Sequence, residues 1–439
     1  MTNFYTNVQV SGNNILYRGV MDGKRVKQKI EYSPSLYVPH TRKTETPFKN
    51  LDGEPLQQKI FGDMREARDY IKQFEGVSGG VKIYGNTSFE YAFIADQHQG
   101  MVDWDIEKLL IAFVDIEVGS ENGFPDPYKA EEPITAIAIE YMNGETFVFG
   151  IGDYDKEKDK SNDTSKLTYI KCRDEWTLCK KFMQLWQAKC PDVITGWNTK
   201  FFDIPYLYNR FNKLLGEDET RKLSPWNNIY ERKTIINGRE MIEYKISGLS
   251  SLDYIELYKW YAPGGKSQES YRLDNIAQVE LGEGKLSYDE FDNLHQLYKL
   301  DYQKYIEYNI KDVRLVLRLE DKLKLLELAF TLAYDTKTNY EDVFAQTRMW
   351  DALTYSFLLN QGIVVPPKMQ KEKDAAFEGA FVKEVQVGLH NWVASFDLNS
   401  LYPHLMMQYS ISPENLVDKS DIDERKRKIT EELKLRNTK

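Results

Sequence analysis

The sequence predicts a mixed α/β protein, and three stretches of the chain carry that expectation. LLIAFVDIEV, residues 109–118, reads as a buried strand, apolar except for Asp115 and Glu117. KTIINGREMIEYKI, residues 233–246, alternates apolar and polar residues around Asn237-Gly238, a turn pair favoured in two-residue β-hairpins. From Asp301 to about Leu328 the apolar residues recur at helical spacing.

The remaining elements follow in chain order. Residues 1–103 contain short alternating β segments (NILYRGV, KQKIEYS, PSLYVPH) and one helix, MREARDYIKQF, which suits a β-rich N-terminal domain. Within it, segment 24–49 carries seven Lys or Arg against two acids, the composition of a nucleic-acid face. Residues 153–166 (DYDKEKDKSNDTSK) read as an exposed loop. PYLYNRFNKLLG begins with a proline suited to a first helical turn and ends on a glycine. Residues 325–367 are helical, and the last 20 residues are charge-dense, with Ile422, Ile429 and Leu433 near helical spacing, as in a solvated helix that docks on a partner.

Composition excludes several classes. A chain of 439 residues with 41% apolar content suggests two to four domains. No stretch of about 18 apolar residues occurs, so no membrane span is expected, and no membrane partner is assigned. MTNFYTNVQV lacks the basic-then-apolar layout of a signal peptide. Cys172, Cys179 and Cys190 have no zinc-type spacing and read as ordinary thiols of a reducing compartment. A net charge of −10 argues against broad nucleic-acid affinity, but 29 Tyr, 21 Phe and 8 Trp provide surfaces on which bases stack.

Four carboxylates in apolar surroundings hold most of the chemical information: Asp115, Glu117, Asp203 and Asp312. Strand side chains alternate, so Phe113, Asp115 and Glu117 share one face, with a repeat of about 7 Å between the acids. Asp203 precedes Ile204-Pro205, and alone it reads more readily as a helix N-cap. Asp312 lies one turn after Tyr308, placing phenol and carboxylate on one helix face. Lys311 or Arg314 offers it a surface ion pair as the alternative. Buried uncompensated charges are expensive; two divalent cations would compensate them, and two cations are what phosphodiester cleavage uses.

The order D-x-E on a strand, N-x-x-x-F-D (Asn198 to Asp203) and Y-x-x-x-D (Tyr308 to Asp312) resembles the DnaQ-like 3′→5′ exonucleases. That resemblance implies a ribonuclease H-like mixed sheet flanked by helices over residues 104–324. It implies that Asp115, Glu117, Asp203 and Asp312 hold two Mg²⁺ or Mn²⁺ ions while Tyr308 orients the attacking water. Phe202 would act as a wedge or stacking residue, with Asn198 and Lys285 (in LGEGKLSY) near the bound single-stranded 3′ end. Lys285 also reads as an ordinary turn lysine. The hairpin at 233–246 would help part primer from template.

A second signature, WVASFDLNSLYP at 392–403, reads as a strand ending in Asp397, a turn, and a helix begun near Pro403. It resembles the first palm motif of family B DNA polymerases, D-x-x-S-L-Y-P. On that resemblance Asp397 and the Leu398 carbonyl bind the polymerase metals, while Ser400, Leu401 and Tyr402 line the nucleotide site, Tyr402 under the deoxyribose. FYTNV, EYSPSLYVP, GFPDP, SLDYIELYK, TRMWDA, GAFVKE and ISPEN are similar to the T-even bacteriophage replicative members of the family. The resemblance implies proofreading during replication in the cytoplasm of an infected bacterial host. It also implies that 325–367 packs back on residues 1–103, and that 368–439 begins the palm.

The second palm aspartate hairpin and the fingers helix of the family are absent, and the chain ends 42 residues after Asp397. A two-metal transfer site built from one aspartate is incomplete, so this chain alone is not expected to polymerise. Either the sequence is truncated, or the polymerase is split and a C-terminal chain supplies the rest, including what dNTP binding on primer-template requires. The split is preferred, because no motif is cut mid-strand. Two other functions stay open: an RNA-binding translational regulator acting through segment 24–49, and a stand-alone exonuclease.

Overall fold

The structure, a computed structural model, describes residues 2–40, 45–74, 82–121, 123–236, 239–262, 268–367, 379–415 and positions 421, 424, 427, 430 and 431. It divides into two units, Met1–Met369 and Gln370–Lys439.

The first unit opens with an antiparallel meander of β1 (Phe4–Ser11), β2 (Asn14–Met21) and β3 (Lys24–Glu31). β2 is buried along most of its length, whereas the edge strand β3 is mostly exposed and lysine-rich, a composition that discourages further strand pairing. A small sheet of β4 (Ser35–Pro39), β5 (Phe48–Lys49) and β6 (Pro55–Ile60) follows, then helices α1 (Met64–Phe74) and α2 (Phe89–Gln97). The sequence reading placed only α1 here. In α2, FEYAFIADQ, six of nine residues are buried, so it lacks the one-sided apolar stripe that marks a surface helix.

The central sheet contains β7 (Ile111–Val118), β8 (Ile134–Tyr141), β9 (Thr146–Gly150) and β10 (Leu167–Lys171). After α3 (Glu175–Ala188) comes its strand β11 (Val193–Thr195). Helices α4 (Asp203–Leu215) and α5 (Glu217–Thr220) and the hairpin β12 (Ile229–Ile236) and β13 (Arg239–Ile246) precede the last sheet strand, β14 (Ser250–Ser251). The strand order is β10-β9-β8-β7-β11-β14, with β7 antiparallel to β8 and parallel to β11. The sheet is therefore mixed and covered on both faces. Val114, Ile116 and Val118 pack in one core with Phe182, Trp186 and Phe211 from α3 and α4. Ile111 and Phe113 join the other core. The hairpin strands pair as expected, with Ile236 opposite Arg239, while Asn237-Gly238 lies outside the described residues.

Next come α6 (Tyr254–Tyr261), α7 (Leu273–Leu281), α8 (Leu294–Leu300), α9 (Tyr302–Leu323), α10 (Leu325–Thr336) and α11 (Gln346–Leu359). The single helix expected over 301–328 is broken at Lys324, which is left-handed with φ 55° and ψ 38°. The fully buried Glu320 carboxylate accepts from the amides of Leu326 (3.0 Å) and Glu327 (3.4 Å) and from the Tyr254 hydroxyl (3.0 Å), so it caps the second helix. α10 and the turn after it meet β1: Tyr5 Oη donates to the Thr338 carbonyl at 2.7 Å, and Asn339 bonds both the amide and the carbonyl of Val8 at 2.8 Å.

In the second unit, 379–400 is irregular and exposed, followed by α12 (Leu401–Tyr409). The strand expected to end in Asp397 is not formed. Among the described residues no strand of this unit offers the ladder partners that an isolated strand needs. Pro403 does fall in the first turn of α12, after the left-handed Ser400. Of the charged tail, Ile422, Ile429 and Leu433 lie outside the described residues, and positions 421, 424, 427, 430 and 431 are helical.

Candidate metal centre

β7 and α9 build the site. The strand places Asp115 opposite Ala138 and Glu117 opposite Ala136 on β8, small residues that leave the face open to α9. Asp312 projects from α9, and carboxylate oxygens of Asp115, Glu117 and Asp312 lie within 4.8 Å of one another. Glu117 is 7% and Asp312 3% exposed, and Asp115 is partly exposed. Asn309 Nδ2, fully buried on the same helix, donates to Asp115 Oδ2 at 2.7 Å. Asp312 Oδ1 is buried without a protein partner.

Asp203 reaches the cluster from another direction. It is the first residue of α4, not its N-cap, and its Oδ1 accepts the Ile116 amide at 3.0 Å. β11 pairs with β7 only as far as Thr195 opposite Phe113, so the strand amide beyond is left for this carboxylate. Asp203 is close enough to Asp115 for their charges to interact, although it lies outside the tightest triad.

The turn that delivers Asp203 depends on two residues the sequence reading did not single out. A Cβ on Gly196 would lie 2.5 Å from the Val114 carbonyl oxygen and 2.4 Å from Thr199 Cγ2, so only glycine fits. Asp253, fully buried, accepts the amides of Asn198 (2.9 Å), Lys200 (3.0 Å) and Ile255 (3.2 Å). It thus caps α6 while bracing the left-handed Asn198. The Asn198 carbonyl then accepts the Phe202 amide at 3.1 Å, one residue before Asp203. An aspartate ahead of YIELYK is a helix-cap signal; its second task has no local signature.

Among the described residues, Lys285 is the cation that bonds the carboxylate cluster. Its Nζ lies 2.5 Å from Asp312 Oδ2 and 3.0 Å from Tyr308 Oη, in place of the surface pair offered by Lys311 or Arg314. Those two instead bond Glu283 and Glu140. Phe202 packs against Phe124 with the rings tilted and their centres 5.5 Å apart, and Phe124 is 88% exposed. Phe124, Trp197, Asn198, Tyr271, Asp274 and Lys285 border a cleft of about 510 Å³. Asp397, Leu398, Ser400, Leu401 and Tyr402 all lie exposed in the second unit.

Electrostatics reflect crowding of like charge. Burial, then Asp312, pushes Glu117 up to about 8. Burial also raises Asp203 to about 7, against the pull of the Ile116 amide. Asp115 is raised well above the usual carboxylate range by burial and by Asp312, Asp203 and Glu117. Burial raises Asp312 as well, with Lys285 opposing. For Lys285 burial acts downward, but Asp312, Tyr308 and Asp115 outweigh it and hold the ammonium above its ordinary value. Among the described residues, one lysine for four carboxylates leaves room for cationic charge, and the donors are hard oxygens of the kind Mg²⁺ and Mn²⁺ prefer.

Residues 83–276 match the family model described as DNA polymerase family B, exonuclease domain, and residues 343–438 match DNA polymerase family B. The chain is 33% identical over 439 residues to the DNA-directed DNA polymerase of Escherichia phage RB69, covering 95% of this chain and 48% of that protein. It is 30% identical to the DNA-directed DNA polymerase of Enterobacteria phage T4, with the same coverage. DNA polymerase 1 of Sulfolobus acidocaldarius is 28% identical over 357 residues, 75% of this chain and 37% of the relative. The chain spans about half the length of the phage relatives it matches. With both models and nearly its whole length aligned to such polymerases, the chain belongs to DNA polymerase family B.

Proposed function

We propose that this chain is the N-terminal part of a replicative DNA-directed DNA polymerase and carries its 3′→5′ proofreading exonuclease. The observation that carries the reading is the convergence of Asp115, Glu117 and Asp312, with Asp203 beside them, within a family B exonuclease match. The unpartnered Asp312 Oδ1 and the excess of buried carboxylates fit two divalent cations, Mg²⁺ or Mn²⁺. When bound, such ions supply Lewis-acid polarisation of the scissile phosphate and lower the pKa of the attacking water.

The protein groups hold and orient. Asp115, Glu117, Asp203 and Asp312 provide the ligand oxygens, and Asn309 fixes the rotamer of Asp115. Burial, then Asp312, keeps the Tyr308 phenol far above its ordinary pKa. It stays neutral and positions the attacking water by hydrogen bonding, while Lys285 donates to its oxygen. The unpaired 3′ end of a DNA strand lies in the cleft beside Trp197 and Tyr271, with Phe202 and Phe124 stacking on bases, each worth ~1–3 kcal/mol.

Polymerisation belongs to a larger assembly. In the second unit Phe381, Trp392 and Phe396 are 90–101% exposed, an apolar density that needs covering by further polypeptide. Asp397, the Leu398 carbonyl, Ser400, Leu401 and Tyr402 enter a polymerase site with that polypeptide, a C-terminal polymerase chain, and dNTP binds only then. The host cell's cytoplasm is where a phage protein of this kind acts.

The test is Mg²⁺-dependent degradation of single-stranded DNA by the chain and by the Asp115→Ala/Glu117→Ala variant. The variant is expected to lose activity by at least about 10³-fold, the scale of losing metal-assisted charge stabilisation; retained degradation refutes the assignment. Primer extension by the purified chain alone would refute the need for a partner.

A further inference from the structure

A second charged feature lies away from the carboxylates, where β2 and β3 meet the end of α3 and the turn at 222–227. A pocket of about 560 Å³ opens there, bordered by Arg18, Arg25, Lys27 and Lys222 together with Gln187 and Asn227. None of its described lining residues is acidic, in a chain whose net charge is −10.

Internal partners do not cancel this charge. The buried Asp192 pairs with both Arg18 (3.1 Å) and Arg25 (2.9 Å), while its second oxygen accepts the Leu110 amide at 2.9 Å. Arg18 is further committed to the carbonyls of Pro191 (2.8 Å) and Gly248 (2.6 Å), so it holds the wall together. Lys222 pairs with Glu219, which also serves Lys180 at 3.0 Å. Among the described residues Lys27 has no carboxylate partner; its Nζ donates to the Pro225 carbonyl at 2.5 Å and lies 4.8 Å from the Trp226 ring centre. Four lining cations thus face two carboxylates, one of them shared with Lys180, an excess of at least two positive charges.

Arg25 and Lys27 are two residues apart on β3 and share a face, and Lys27 is registered against Arg18 on β2. Arg25 keeps unused guanidinium N–H groups and is 36% exposed, and Lys27 keeps two of its three donors.

We propose that this pocket binds a phosphate monoester on a ligand of nucleotide size, with Arg25 and Lys27 as the principal donors. A phosphate monoester carries about −1.5 to −2 at pH 7 and several acceptor oxygens, which matches an excess of two charges better than a single carboxylate does. The volume lies in the range of about 300–1,000 Å³ typical of small-ligand sites and exceeds what phosphate alone fills. The monoester belongs either to a free nucleoside monophosphate or to the 5′-phosphorylated end of a strand. The proposal is independent of the nuclease assignment.

The experiment is calorimetric titration of the full chain in EDTA, which keeps divalent ions from the carboxylate cluster. The probes are dAMP, adenosine, inorganic phosphate, and one oligonucleotide with and without a 5′-phosphate. We expect dAMP to bind, phosphate to compete with it, and adenosine to bind at least tenfold more weakly. Lys27→Gln, which leaves both Asp192 ion pairs in place, should weaken dAMP at least tenfold, and Arg25→Gln/Lys27→Gln further, with Mg²⁺-dependent nuclease activity unchanged. A tenfold preference for the phosphorylated oligonucleotide over dAMP, lost in Lys27→Gln, assigns the strand end; tighter dAMP assigns the free nucleotide. No binding of either, equal binding of adenosine, or unchanged affinity in Lys27→Gln overturns the proposal.

Discussion

Asp253 touches no substrate, yet its removal should disable the nuclease. Its buried carboxylate satisfies three part-buried amides, those of Asn198, Lys200 and Ile255, at 2.9–3.2 Å. Each amide left unpaired costs about 1–3 kcal/mol, so Asp253→Ala is expected to destabilise the protein by roughly 3–6 kcal/mol once relief of burying the carboxylate is included. Asp253→Asn is the sharper variant. Its single carbonyl oxygen can still accept from Asn198 and Ile255, whereas Lys200 would face an NH₂ group; the loss should be about 1–3 kcal/mol. The Lys200 amide lies between the left-handed Asn198 and the start of α4, so loosening it shifts Asp203 against the Ile116 amide. A displacement of about 1 Å at a reacting centre can cost about 10²-fold, and a fall of about 10- to 100-fold in Mg²⁺-dependent DNA degradation is expected for Asp253→Asn. Urea unfolding followed by circular dichroism gives the stability, and initial rates on a single-stranded oligonucleotide give the activity. An Asn variant within about 0.5 kcal/mol of wild type and equal to it in rate would show that the brace is not needed.

Two other substitutions probe the scaffold. Burial raises Glu320 from 4.5 to about 7 in the folded chain. Its contribution is therefore complete below about 4.5 and is lost as pH rises to 7, a change of about 3 kcal/mol; Glu320→Gln should not show it, and parallel stability–pH curves for the two proteins would contradict the account. Gly196→Ala forces a methyl against the Val114 carbonyl and is expected to cost about 1–3 kcal/mol and to lower nuclease activity; thermal melting and rates indistinguishable from wild type would contradict it.

Local pattern explains what was legible in the sequence. β7 shows itself because an apolar run carries acids at i and i+2, and α9 because Tyr308 and Asp312 fall one turn apart. Asp203 is visible only through its place in an ordered set of motifs. Long-range partnerships were not legible. Asn309 bonds Asp115 across 194 residues and Asp253 bonds Asn198 across 55, and neither side chain differs locally from an ordinary helix asparagine or cap. The break at Lys324 was hidden because lysine carries no preference for left-handed backbone and the apolar spacing runs through it. WVASFD reads as a strand by composition, yet strand formation depends on neighbours that its own residues do not specify.

The break at Lys324 also has a mechanical meaning. A straight helix would have run on in the direction of α9; the left-handed turn redirects the polypeptide, and Glu320 holds that turn from within. The helix that carries Tyr308 and Asp312 and the amino-terminal strand are thus tied to the two ends of one short helix, held at one end by a single buried acid and at the other by Tyr5 and Val8.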